Sequence, residues 1–202
     1  MNKLILSFMF ALVIFKVEAY QIDLSEYGVN YQLLQIDNKT KTEVQVGDLA
    51  HALGLYYSYM PYKYSGHKYK SWQSTLGGDL VYIRDNSSFT QAVTGNNNNI
   101  SNKSSNVLGY SVYLETGLSM RIKSVKSLQA GLMVGYKYND INRTIFKCSD
   151  CNEESLDAFS HSSYLKPFVA FKISNVIKGK LYFSYYFQSS GFTNGLGLQI
   201  SF

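Results

Sequence analysis

Gly195-Leu196-Gly197-Leu198-Gln199-Ile200-Ser201-Phe202 closes the sequence with an apolar side chain at every second position. In an extended strand successive side chains point to opposite faces, so Leu196, Leu198, Ile200 and Phe202 share one face, and Gly195, Gly197, Gln199 and Ser201 the other. The same period runs upstream. Leu181, Phe183, Tyr185 and Phe187 oppose Tyr182, Ser184, Tyr186 and Gln188; Leu132, Val134, Tyr136 and Tyr138 oppose Met133, Gly135, Lys137 and Asn139. Leu108, Tyr110, Val112 and Leu114 oppose Gly109, Ser111, Tyr113 and Glu115. With weaker alternation elsewhere, the pattern predicts eight strands, over 26–36, 46–60, 75–84, 107–122, 128–139, 163–173, 180–189 and 194–202. Segment 61–74 is long and aromatic for a turn, and extension of its flanking strands is the expected remedy.

Two arrangements satisfy such alternation. A soluble sandwich or lipocalin-like barrel turns the apolar face inward; a membrane barrel turns it outward. The polar faces here are rich in Gly and Ser, which suits a narrow interior better than a solvated exterior. The apolar faces end in Tyr and Phe, at Tyr57, Tyr59, Tyr136, Tyr138, Tyr185 and Phe187, as expected where a ring sits among acyl chains and its hydroxyl among headgroups. Most strands reach the roughly 9 to 11 residues that cross a bilayer as tilted β-structure. The expected fold is therefore all-β: an eight-stranded antiparallel transmembrane β-barrel with its apolar face outward and a polar, filled interior.

The terminal run 195–202 resembles the last strand of Gram-negative outer-membrane proteins. The resemblance implies that Leu196, Leu198, Ile200 and Phe202 form the signal read by the barrel-assembly machinery. In size and strand count the chain resembles small barrels of the OmpA transmembrane-domain, OmpX and opacity-protein kind. That implies outer-membrane lipid and lipopolysaccharide as surroundings.

The amino terminus reads as an export signal. Lys3 precedes a 12-residue stretch, Leu4 to Phe15, dominated by apolar side chains, and Val17-Glu18-Ala19 offers a cleavage site. Twelve helical residues span about 18 Å against a hydrocarbon core of about 30 Å. Residues 1–19 are thus expected to be a cleaved signal peptide, and 20–202 the barrel domain. Removing Lys3, Lys16 and Glu18 lowers the formal charge from +5 to +4, a dispersed excess that does not point to nucleic acid. In an exported chain the two cysteines, Cys148 and Cys151, are expected to form a small loop disulfide; no zinc ligand set accompanies them.

If the apolar faces meet lipid, Asp79, Glu115, Arg121, Lys137, Lys166 and Lys172 point inward, and a bore just filled by side chains obliges them to pair. A salt-bridged plug is the expectation, with an ion-conducting lumen the functional alternative. Segments 85–106 and 140–162 read as long, irregular outer loops, the place for a host or envelope surface ligand. The acidic patch Asp150, Glu153, Glu154 and Asp157 lacks calcium-loop spacing and reads as a solvated face. His161-Ser162-Ser163 resembles the His-x-Ser pair of outer-membrane lipid A deacylases, which would make His161 and Ser163 base and nucleophile. The Glu that this family places after the pair is missing, with Asn175 near that spacing, and the pair falls two strands early. No catalytic activity, cofactor or metal is expected. A monomeric barrel that displays its loops at the cell surface, or supports the envelope, is the reading.

Overall fold

The computed structural model describes residues 25–63, 70–86, 89, 104–122, 128–146, 153–187 and 191–202. The expected signal peptide and the Cys148–Cys151 disulfide lie outside these residues. Strands run over Ser25–Ile36 (β1), Val46–Lys63 (β2), Lys70–Asp85 (β3), Ser104–Arg121 (β4), Leu128–Phe146 (β5), Glu153–Ser155 (β6), His161–Lys172 (β7), Lys178–Tyr186 (β8) and Phe192–Ser201 (β9). All but the short β6 build one closed antiparallel barrel, ordered β1-β2-β3-β4-β5-β7-β8-β9. It closes where β9 returns to β1, pairing Val29 with Ile200 and Leu33 with Leu196. Closure satisfies the backbone of the barrel wall internally, the condition for crossing hydrocarbon with strands.

Alternation places the apolar side chains outside. Leu53, Leu80 and Leu196 are 59%, 72% and 61% exposed, while Asp79, Glu115, Lys137 and Lys166 are buried. The outward leucines and valines form a continuous belt bounded by aromatic side chains. Tyr27, Tyr57, Tyr59, Trp72 and Phe202 stand at the end with the short turns; Tyr31, Tyr82, Tyr110, Tyr136, Tyr138 and Tyr185 stand toward the opposite, loop end. An apolar belt with two aromatic girdles is the outer surface of a transmembrane barrel. No described helix is long and apolar enough to cross a membrane; the strands do so.

Inside, bulky rings fill space that neighbouring glycines leave open. Tyr113 pairs with Gly77, Tyr164 with Gly135, Phe168 with Gly131 and Tyr182 with Gly197 across adjacent strands. A Cβ on any of these glycines would lie 2.1–2.4 Å from a ring atom of its partner. Each ring therefore lies flat over a glycine instead of standing into the bore, which lets large side chains occupy a narrow barrel. The interior thus holds large rings beside its Gly, Ser and charged residues: Tyr113, Tyr182 and Tyr186, on the inward rows by parity, are buried there with Tyr56 and Tyr164.

The strand boundaries depart from expectation mainly by extension. β2 reaches Lys63 and β3 begins at Lys70, pairing Tyr62 with Trp72, so the described residues of segment 61–74 are strand. The described residues of segment 140–162 are not irregular loop. β5 runs on to Phe146 because Ile141 and Arg143 continue its inward row, β6 pairs with its far end, a 3-10 turn spans Asp157–Phe159, and β7 begins at His161. The chain between β1 and β2 forms a helix, α1, over Asn38–Val44. The Asp37 carboxylate caps it by accepting from the Lys39 and Thr40 N–H groups, and Gln45 ends it in the left-handed region at φ 53°.

Candidate functional site

Three layers stack along the bore. The central one is ionic. Asp79 Oδ2 accepts from Lys137 Nζ at 2.9 Å, and the Glu115 carboxylate accepts from Lys166 Nζ at 2.7 and 2.9 Å. All four side chains are almost wholly excluded from solvent. Asn30 donates to Asp79 Oδ1 at 2.9 Å, Tyr164 donates to Glu115 at 2.7 Å, and Tyr182 donates to Asn30 at 2.6 Å. Lys166 Nζ also lies 4.0 Å from the centroid of the Tyr182 ring. The void among these groups leaves no position for the centre of a water molecule. Each carboxylate thus has one ammonium and at least one neutral donor, which is the condition for keeping charge in a dry interior.

Toward the loop end the bore turns apolar. Leu34, Ile36, Val46, Val81, Ile83, Val107, Ile141 and Leu156 pack with Phe159 and Phe192, whose ring centroids lie 4.9 Å apart. Strand parity with Asp79 turns Val81 and Ile83 inward, but Leu156 and Phe159 come from the connection between β6 and β7, where no alternation marks them. Above it Arg143 ties the rim together. Its guanidinium donates to Asp85 (2.9 and 3.0 Å), to Glu154 (2.9 Å) and to the Val44 carbonyl, and stacks 3.9 Å over the Phe89 ring. One buried arginine thereby joins the ends of α1 and β3 to β6. Five donors in a rigid fork suit it to that task.

The third layer, toward the short turns, is polar and less completely paired. Ser58 and Thr75 share a hydrogen bond of 2.7 Å. Gln73 Nε2, both side-chain polar atoms of Gln199, and Lys180 Nζ are buried without a hydrogen-bond partner among the described residues. Lys180 sits 4.8 Å from the Phe168 ring centroid and opposite Gln199 in the β8–β9 register.

The structure therefore brings Asp79, Glu115, Lys137 and Lys166 into two buried pairs. Arg121 and Lys172 stand at the short-turn ends of β4 and β7, away from that centre, and Lys172 is exposed. Arg143 and Lys180 were not anticipated. Arg143 fell in a segment read as loop, and Lys180 at the first residue of a predicted strand. Leu196, Leu198, Ile200 and Phe202 line the outer face of β9 and its end, Leu196 and Phe202 exposed and the other two half-buried.

His161 and Ser163 both face outward on β7. His161 Nδ1 lies 2.7 Å from the Tyr136 hydroxyl, and its ring packs between Tyr136 and Tyr138. A hydroxyl group, not a carboxylate, holds this imidazole. His51 repeats the arrangement, with Nδ1 2.9 Å from the Tyr31 hydroxyl and Tyr82 alongside. Two such His–Tyr groups near the loop-end girdle have the makeup of interfacial side chains.

The sequence matches no protein-family model and no curated protein. Among solved structures, the chain is similar to Ail, the attachment invasion locus protein of Yersinia pestis, at 11% identity and a TM-score of 0.48, over 88% of this chain and 94% of that one. Ail in complex with the heparin analogue sucrose octasulfate aligns at 8% identity and a TM-score of 0.45, with the same coverage. On its own geometry, the closed wall, the apolar belt and the paired interior, this chain has the architecture of a small outer-membrane β-barrel.

Proposed function

We propose that this chain is an exported protein of the Gram-negative outer membrane, and that its barrel is a rigid stand for the segments at its loop end. The observation that carries this reading is the sealed bore. Two buried ion pairs close the centre, an apolar plug closes the loop half, and Arg143 fastens three connections to the rim. A conduit needs a wet, continuous path, whereas a stand needs a wall that does not yield. Recognition by segments held on a fixed scaffold is the matching function, with a host or envelope surface as the partner class. The outward row Leu196, Leu198, Ile200 and Phe202 would serve assembly.

The test has two arms. Cells expressing the protein are expected to bind host matrix or envelope components more than cells whose copy lacks residues 91–102, while both copies keep the gel-mobility difference between unheated and heated samples. Equal binding by the two strains overturns the display role. In planar bilayers the purified protein is expected to stay electrically silent; stable single-channel steps would overturn the sealed stand.

A further inference from the structure

The two ends of the barrel differ sharply in charge. In sequence, the stretches 61–74, 121–127 and 172–180 carry nine Lys and Arg and no Asp or Glu. The described strands place Lys63, Lys70, Arg121, Lys172 and Lys178 at the short-turn ends of β2, β3, β4, β7 and β8. Glu26 is the acidic residue facing them among the described residues, and it is taken up by an ion pair with Lys178. The loop end has the opposite balance, with Glu43, Asp48, Glu154 and Asp157 exposed there.

These cations occupy five of the eight barrel strands, in two arcs on opposite walls, β2–β4 and β7–β8. Their strand positions lie at the level of the girdle of Tyr27, Tyr57, Tyr59, Trp72 and Phe202. A single docking protein would call for one charged face. A distribution around the rim, at the level where tyrosine and tryptophan mark the edge of the hydrocarbon, fits a plane of phosphate-bearing headgroups encircling the barrel. We propose that the short-turn end selects anionic phospholipid in the leaflet it enters, with Lys63, Lys70, Arg121 and Lys172 supplying the attraction. This rests on the outer-membrane reading above, in which that end faces the inner leaflet. A basic side chain near an anionic surface contributes about 1 kcal/mol, which enriches anionic headgroups beside it about fivefold.

Trp72 is the only tryptophan and stands in that girdle, so its fluorescence reports the lipid at this end alone. The protein is folded into mixed phosphatidylcholine–phosphatidylglycerol vesicles in which one lipid or the other carries brominated acyl chains at equal mole fraction. Brominated phosphatidylglycerol is expected to quench Trp72 at least about twice as strongly. High salt, or the combined variant Lys63→Gln/Lys70→Gln/Arg121→Gln/Lys172→Gln, is expected to bring the ratio to one. Lys39→Gln/Lys41→Gln at the loop end is expected to leave it unchanged. Equal quenching in the unaltered protein overturns the selection while leaving the barrel intact. Quenching by neither lipid, without a heat-dependent gel shift, would instead overturn the membrane barrel itself. Retained preference in the fourfold variant, with its gel shift preserved, would show that these cations are not its source.

Discussion

Replacing Lys166 with Met tests whether the bore is dry. Lys166 Nζ lies 2.7 and 2.9 Å from the two oxygens of Glu115, and both side chains are buried. At an effective dielectric of about 20 the attraction over 2.7 Å is about 6 kcal/mol, and in bulk water about 1.5 kcal/mol. Lys166→Met leaves the Glu115 carboxylate with the Tyr164 hydroxyl alone, and losing one member of a buried pair costs about 3–5 kcal/mol. Glu115→Gln leaves Lys166 facing the Tyr182 ring, and is expected to cost a similar amount. The double variant removes both charges at nearly constant volume, and its stability should lie within about 2 kcal/mol of the parent. The cycle then gives a coupling of about 3 kcal/mol or more. The assay is equilibrium unfolding by urea in detergent or vesicles, with the folded fraction read from unheated gel mobility and ΔG from linear extrapolation. Additive single costs below about 1 kcal/mol each would mean that water screens the pair, and the sealed-bore reasoning would fail. Asp79 and Lys137, at 2.9 Å, offer an independent repeat of the cycle.

Other expectations follow from neighbouring layers. Gly77→Ala would set a Cβ 2.3 Å from the Tyr113 ring, costing about 1–3 kcal/mol by overpacking. Because the Tyr113 hydroxyl has no hydrogen-bond partner among the described residues, Tyr113→Leu should absorb most of that cost, and additivity of the two changes in urea unfolding would refute the ring-over-glycine packing. Lys180→Met removes a buried ammonium without a hydrogen-bond partner among the described residues, so stability should hold or rise by up to about 2 kcal/mol; a clear loss in the same assay would show that the ammonium has a stabilising partner. Arg143→Met frees Asp85, Glu154 and the Val44 carbonyl together. Amide exchange should quicken around residues 44–47 and 153–155 while the strands carrying Glu115 and Lys137 stay protected, and uniform quickening would refute a rim-specific clamp.

Period-two alternation was enough to read the barrel, since the outward rows of β4, β5, β8 and β9 follow from parity alone, with weaker alternation in the other strands. The same parity put Asp79, Glu115, Lys137 and Lys166 inside. It could not say which acid meets which base, because partner choice depends on register across strands that are up to 58 residues apart in sequence. The length of β5 was under-read where its inward row became apolar and long-chained. Ile141 and Arg143 broke the Gly–Ser habit of the interior and so resembled loop. The helix at Asn38–Val44 was hidden by its brevity, although Asp37 two residues before Lys39 is an ordinary capping placement. Arg143 was unreadable for a different reason: its partners come from three separate connections, and only the closed barrel brings them together.

The layering of the bore follows from where the hydrophobic effect can act. At the depth of the belt, lipid surrounds the wall, and moving an apolar side chain from lipid to the bore gains little, since acyl chains are as apolar as leucine. Specific pairing at that depth has to come from charge and hydrogen bonds in a low dielectric, and Asp79–Lys137 and Glu115–Lys166 occupy it. At the loop end, where the expected alternative to burial is water, apolar burial regains its worth of about 25 cal/mol per Å². Phe159, Phe192, Ile83 and Val107 collect there. The plug thus holds the connections down by the same force that builds a soluble core. The ion pairs below it tie β3 to β5 and β4 to β7, so packing at the loop end and pairing at the depth of the belt are set by different physics.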